Sequence, residues 1–104
     1  FSLEKLEEMS RGNKQFVDKM VDLFKQEIPK SIVQINEMLA IEDYDRIRAL
    51  VHRIKPSIKM MCVVSIEQDV QKLEIISGNK SELEKIPELV NKISLVCNKV
   101  VASL

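Results

Sequence analysis

Apolar residues recur every three or four positions along most of this chain, which is the spacing of one face of an α-helix. The first long stretch with this spacing runs from about Lys14 to Ile41. Its apolar positions are Phe16, Met20, Leu23, Ile28, Ile32, Ile35 and Leu39. Pro29 falls within the pattern and does not change its phase. We therefore expect one kinked helix, with two separate helices as the alternative.

The second stretch predicts a helix from Asp43, as N-cap, to about Met61. Its inward positions are Ile47, Val51, Ile54, Ile58 and Met61. Pro56 argues against continuity, because proline lacks the backbone donor and clashes with the carbonyl four residues earlier. The residue before it, Lys55, is also disfavoured in helical angles. The apolar spacing nevertheless continues across Pro56, so the expected result is a kinked but continuous helix.

Two capping boxes predict the starts of two more helices. Ser65 with Gln68 begins the first of them, which ends at Gly78-Asn79. Its inward positions are Ile66, Val70, Leu73 and Ser77. Ser81 with Glu84 begins the second. Its inward positions are Leu83, Ile86, Val90, Ile93, Cys97, Val100 and Leu104.

A short additional helix is predicted from about Leu3 to Met9, with Ser2 as N-cap and a break at Gly12-Asn13. No stretch shows the sustained alternation of a β-strand. The chain has 104 residues, the size of one domain, and we expect 1–104 to form a single domain. The predicted fold is all-α: an antiparallel up-down four-helix bundle with a short additional N-terminal helix.

The charge balance limits the partners that this chain can bind. Lysine plus arginine equals 16 and aspartate plus glutamate equals 16, so the formal net charge is zero. Binding to nucleic acid or to anionic membranes usually needs a basic excess, so we expect neither. No apolar run approaches the ~20 residues of a membrane span, and no signal peptide is visible. We expect no direct membrane insertion and a cytoplasmic location.

The residues that could hold a metal or a nucleotide are few. Cys62 and Cys97 lack metal-like spacing, so we expect reduced core thiols. A zinc site needs three or four ligands, more than one histidine and two distant cysteines provide. There is no Gly-rich phosphate loop. We therefore expect no metal site, nucleotide or cofactor in this chain.

His52, the only histidine, lies in a stripe of positive charge. At about 100° per residue, Arg48, Lys55 and Lys59 fall within roughly 60° of one another and of the histidine on the helix surface. By default such a stripe is a solvated face. An isolated imidazole flanked by cations is also suited to holding an oxyanion.

A partner for His52 follows from helix register. If the helices on either side of Val63 form a hairpin, residues equidistant from Val63 lie at similar heights, which places Glu74 opposite His52. The same arithmetic gives two further pairs, Lys55 with Gln71 and Lys59 with Glu67. The Glu74 carboxylate would accept a hydrogen bond from one ring nitrogen and leave the other as a nucleophile facing solvent.

The run 52–57, His-Arg-Ile-Lys-Pro-Ser, resembles the signature of histidine-containing phosphotransfer (HPt) domains. The resemblance covers nearly the whole chain, including the proline-interrupted helix and a Leu73-Glu74 pair about two dozen positions after the histidine. It implies a phosphorelay intermediate, in which the histidine accepts a phosphoryl group from a receiver-domain aspartyl phosphate and passes it to another receiver. It also implies a phosphocarrier without autonomous kinase activity, with magnesium supplied by the partner receiver.

The resemblance assigns roles to single residues. It makes His52 the phosphoacceptor, Lys55 the cation that offsets phosphate charge, and Glu74 the group that orients the imidazole. Pro56 stands where the family usually has glycine, which puts the manner of receiver approach in question. Arg48 and Lys59 come from the helical stripe, and we expect them to support the site or partner docking, together with Pro56 and Ser57.

Two other interpretations remain open. One is the dimerisation and phosphoacceptor hairpin of a sensor histidine kinase, although Arg53 replaces the acidic residue that follows histidine there and Pro56 comes one position early. The other is a non-catalytic helical adaptor in which His52 is incidental. For the phosphotransfer domain we expect a monomer. Since the sequence begins at Phe1 without an initiator methionine, we also expect a domain of a longer chain, such as the cytosolic C-terminal domain of a membrane-bound hybrid kinase.

Overall fold

The computed structural model describes residue 8, residues 13–61 and residues 63–104. Of the predicted helix over 3–9, only Glu8 is described, and it is helical and exposed. The rest of that helix, its N-cap Ser2 and the core thiol predicted at Cys62 lie outside the described residues.

Residues 13–61 and 63–104 contain four α-helices and one short 3₁₀-helix. The helices are α1 (Lys14–Ala40), α2 (Tyr44–Met60), α3 (Val64–Asn79) and α4 (Ile86–Ser103), and the 3₁₀-helix covers Leu83–Lys85. Each helix packs against the next in the chain, and α4 packs back against α1. This closed ring, with short connections, is the arrangement of an antiparallel up-down bundle. The predicted all-α four-helix bundle is confirmed.

Both internal prolines lie within continuous helices, as expected from the uninterrupted apolar spacing. Pro29 is inside α1 and Pro56 is inside α2. The 27 residues of α1 span about 40 Å at 1.5 Å per residue, which matches the 43 Å length of the molecule. Residues on both sides of each proline are buried, for example Ile54 and Ile58 in α2. Burial of the flanking turns therefore holds each helix together where a backbone hydrogen bond is lost.

The core lies between the four helices. The predicted inward residues of α2 and α3 are all buried: Ile47, Val51, Ile54, Ile58, Met61, Ile66, Val70, Leu73 and Ser77. In α4 the buried set is Ile86, Val90, Ile93, Cys97 and Val100. Leu83 and Leu104, also predicted inward, are partly buried against the core, and Leu83 belongs to the 3₁₀-helix and not to α4.

The inward face of the first half of α1 differs from the prediction. Phe16 and Leu23 are 38% and 39% exposed, whereas Val17 and Phe24, each one position later, are buried. Both faces are apolar in this part of the sequence, so spacing alone could not choose between them. The choice follows from continuity with Ile28, since Val17 and Phe24 lie eleven and four positions before it on the same helical face.

Both predicted capping boxes were wrong. The N-cap of α3 is Val63, which makes no side-chain capping bond and is 1% exposed, so burial of this side chain fixes the helix start ahead of Ser65. The N-cap of α4 is Lys85, and a proline in the first turn sets that start. The predicted end of α3 at Gly78-Asn79 is confirmed, since the helix ends at Asn79, and Lys80 after it is in the left-handed conformation. Asp43 also caps α2 as predicted, accepting from the Arg46 N–H at 3.2 Å.

None of the helices in the described ranges combines the length and apolar character that crossing a membrane requires.

Two isoleucines of α3 provide a matched test of this packing. Ile66 is 0% exposed and Ile75 is 51% exposed. We expect Ile66→Ala to lower the free energy of unfolding by about 2–5 kcal/mol, because it leaves a cavity in the core. We expect Ile75→Ala to change it by no more than about 0.5 kcal/mol. Urea denaturation of both variants checks this, and equal losses would contradict the assigned inward face of α3.

Candidate functional site

The only histidine stands on the outer surface of α2, next to a residue of the core. Val51 is 1% exposed, whereas the side chain of His52 is 71% exposed. The neighbouring buried positions fix the rotation of α2, so His52 faces solvent through the packing of its own helix. An exposed imidazole on a rigid helix is accessible to a macromolecular partner.

Glu74 of α3 holds the imidazole of His52. The distance from His52 Nδ1 to Glu74 Oε1 is 2.8 Å, so the contact predicted from helix register is present. Because a carboxylate only accepts hydrogen bonds, Nδ1 must carry the hydrogen. In the neutral ring this leaves the lone pair on Nε2, directed away from Glu74.

Lys55 completes the cluster by binding the other oxygen of the same carboxylate. Its Nζ lies 2.8 Å from Glu74 Oε2, an oxygen that is buried from solvent. Register had placed Lys55 opposite Gln71 instead. Side chains on a helix lean toward its N-terminus, so the long Lys55 side chain reaches the level of His52, one turn earlier.

The charge on Glu74 is stabilised by its two neighbours. The hydrogen bond from Lys55 is the main cause that lowers the pKa of the Glu74 carboxyl below 4.5, and the hydrogen bond from His52 adds to it. Partial burial, with 14% of the side chain exposed, opposes this shift but does not cancel it. The carboxylate is therefore ionised at neutral pH, and it keeps both the hydrogen bond from His52 and the ion pair with Lys55.

Arg48 lies beside this cluster. With Lys55, Glu74 and Gly78 it lines an open groove of about 400 Å³ between α2 and α3, here called the Arg48 groove. Gly78 was predicted only as a helix terminator. Its position four residues after Glu74, and so on the same face of α3, is the signal that could have identified it.

The other predicted site residues lie in two separate grooves. Lys59 lines one of about 170 Å³ with Glu67 and Lys55, but the ion pairs among the described residues do not include Lys59 with Glu67. Pro56 and Ser57 line an apolar groove of about 180 Å³, the Pro56 groove, against Leu23 of α1. The structure therefore brings together His52, Lys55, Glu74 and Arg48, while Lys59, Pro56 and Ser57 surround them.

Within the described ranges, no three His, Cys, Asp or Glu side chains are grouped so that they could hold a metal ion. Cys97 is a free, buried thiol. Burial raises its pKa to about 12, so the sulfur stays protonated and unreactive in the core.

Comparison with known proteins agrees with this geometry. The family model of the Hpt domain matches residues 19–102, which is well over half of the chain and includes α2, α3 and the His52 cluster. No curated protein and no solved structure matches the chain. Domains of this family carry out histidine phosphotransfer in phosphorelays of two-component systems and interact with receiver domains. The match over most of the helical bundle shows that this chain belongs to the Hpt domain family.

Proposed function

We propose that His52 is the phosphoacceptor of this domain, taking a phosphoryl group from the aspartyl phosphate of one receiver and passing it to another. The observation that carries the proposal is the exposed imidazole whose Nδ1 is held by Glu74 at 2.8 Å. That contact fixes the ring orientation and leaves the Nε2 lone pair directed toward solvent. Nε2 is therefore the attacking atom.

The proposed transfer needs no general base. The Nε2 lone pair forms the N–P bond while the bond between phosphorus and the aspartyl oxygen breaks, and the receiver aspartate leaves as a carboxylate. Nε2 carries no hydrogen, so no proton has to be removed. The product ring is a phosphorylated imidazolium, whose positive charge is balanced by the Glu74 carboxylate at Nδ1. Transfer to the second receiver reverses these steps.

Lys55 acts on both partners of the reaction. Its ammonium group holds the Glu74 carboxylate in position, and its charge favours the negative phosphoryl group one helical turn away at His52. Phosphoryl transfer passes through a loose transition state with charge spread over the equatorial oxygens, so positioning and nearby cations supply most of what the reaction needs. The magnesium ion comes from the receiver.

The Pro56 groove and Lys59 are assigned to receiver docking. Pro56 is exposed one turn beyond His52, and its compact ring leaves room for a partner to approach the imidazole. Leu23 and Phe16 on α1 add exposed apolar surface on the neighbouring helix. The proposal also includes a monomer, because the four helices form a common core within one chain, and a location in the cytoplasm.

The first test is labelling of His52 by a phosphorylated receiver. We expect a phospho-receiver with magnesium to label the wild-type chain and ATP alone not to label it. The label should be acid-labile and alkali-stable, as a phosphoramidate is. His52→Gln should abolish labelling and leave the helical circular dichroism unchanged, because an exposed residue contributes little packing. Because cognate receivers are unknown, a panel from one genome is used. Labelling of the His52→Gln protein would contradict the proposal.

The second test separates two lysines of the same helix. We expect Lys55→Ala to slow transfer by about tenfold, equivalent to ~1.4 kcal/mol in the barrier. Lys59→Ala should stay within about twofold of wild type, because its charge is two turns from His52 and the Debye length is about 8 Å. Rates are compared at one receiver concentration that saturates wild type and both variants, so that a loss of docking affinity in Lys59→Ala does not lower its rate. Equal rates for both variants and wild type would remove the role assigned to Lys55.

The third test uses the lowered pKa of Glu74. A carboxyl with a depressed pKa in the folded state contributes stability that is fully present above 4.5 and is lost as the pH falls through the folded-state pKa. We therefore expect the stability that Glu74 gives wild type relative to Glu74→Gln to shrink as the pH falls below 4.5. Glu67→Gln, on the same helix, is the matched control. Parallel stability curves for wild type and Glu74→Gln down to the most acidic pH would contradict the assigned ion pair.

A further inference from the structure

Gly78 leaves a space that the side chain of Arg48 fills. A Cβ atom added at Gly78 would lie 2.7 Å from Arg48 Cδ and 2.8 Å from Arg48 Nε, closer than real contacts allow. Gly78 lies in the last turn of α3. The backbone does not require glycine at this position, because the residue with the left-handed conformation at this end of the helix is Lys80. The absence of a side chain at Gly78 therefore matters because it leaves room for the Arg48 side chain.

The same register that pairs His52 with Glu74 pairs Arg48 with Gly78. Both pairs are equidistant from Val63 in the sequence, and the second lies one helical turn from the first. Arg48 lies one helical turn before His52, on the same face of α2. Arg48 also shares its groove with Glu74 and Lys55.

The charges around His52 are not equally available to a ligand. Lys55 forms an ion pair with the buried Oε2 of Glu74, which has no other partner in the described part of the chain, and moving Lys55 away would leave a buried carboxylate oxygen without a counter-charge. Asp45, three residues before Arg48, pairs with Lys80. Among the ion pairs of the described residues, none involves Arg48. Its guanidinium is the nearest cation along the stripe that has no carboxylate partner.

We propose that Gly78 is a positioning residue for Arg48, and that the Arg48 guanidinium binds the phosphoryl oxygens of phosphorylated His52. This rests on the proposed role of His52 as phosphoacceptor. A guanidinium presents two parallel N–H donors to two phosphoryl oxygens, which an ammonium group cannot do. Lys55 then maintains the Glu74 carboxylate, and Arg48 provides the cation that the phosphoryl group itself contacts.

The test uses the chain's single histidine. Phosphoramidate, a small chemical donor, phosphorylates histidine without any receiver, so all phosphohistidine that it forms is at His52. The titration of the phosphoryl group is then followed by phosphorus NMR. A cation in contact favours the dianion, so we expect the titration midpoint to rise by roughly 0.5 to 1 pH unit in Arg48→Met. Arg53→Met, an exposed arginine next to His52, controls for general loss of charge and should shift the midpoint less.

Gly78→Ala separates positioning from stability. Alanine is the better helix former, so we expect unchanged or higher thermal stability, while the displaced Arg48 raises the midpoint toward that of Arg48→Met. Adding Gly78→Ala to Arg48→Met should have no further effect. The transfer rate from a phospho-receiver should follow the same pattern among the variants.

The outcomes distinguish this inference from the proposed function. The same midpoint in wild type and Arg48→Met would overturn the inference, and so would a Gly78→Ala effect that persists in the Arg48→Met background. If phospho-receivers fail to label His52 while the chemically phosphorylated variants show the expected shifts, the proposed function fails and the Arg48 contact stands.

Discussion

The carboxylate of Glu74 connects the parts of this site. One oxygen accepts from His52 and the other lies against Lys55, both at 2.8 Å, so three side chains from two helices are fixed by one group. Lys55 and His52 lower the pKa of the Glu74 carboxyl. The carboxylate therefore stays charged, and the hydrogen stays on Nδ1 of His52. If Glu74 were absent, the ring could turn and the lysine would lose its partner. The orientation of the His52 imidazole thus depends on the pairing of α2 with α3.

That pairing depends on the core. The inward residues of α2, including Ile47 and Ile58 at 0% and 1% exposed, leave the helix one possible rotation, and this rotation puts His52 outside. Pro56 cannot donate to the His52 carbonyl, so the backbone of α2 lacks a hydrogen bond at the site itself. The helix continues because its apolar face is buried on both sides of the proline. Packing, more than backbone bonding, holds the histidine in place.

The charge pattern suits a group that must be accepted and then released. A site with many unpaired cations would bind the phosphoryl group tightly and retain it. Here Lys55 is partly neutralised by Glu74, which leaves Arg48, at the edge of an open groove, as the cation proposed to contact the phosphoryl group. In the proposed transfer, the negative charge of Glu74 stabilises the imidazolium of the product while leaving the phosphoryl group exposed to the next receiver.

Sequence periodicity alone determined the four helices, the continuity of α1 and α2 across their prolines, and the buried faces of α2, α3 and α4, because a single apolar stripe has only one way to be buried. Simple register arithmetic also placed Glu74 against His52. The tertiary structure decided the features that depend on competing partners. In α1 it decided which of two apolar faces turns inward, and this face carries Val17 and Phe24 in place of Phe16 and Leu23. It also decided where α3 begins, since burial of Val63 outweighs a capping bond at Ser65. It also decided that Lys55 binds Glu74 and not Gln71, and that the Arg48 side chain lies over Gly78. These contacts depend on the reach of long side chains between two helices, which the spacing within one helix does not contain.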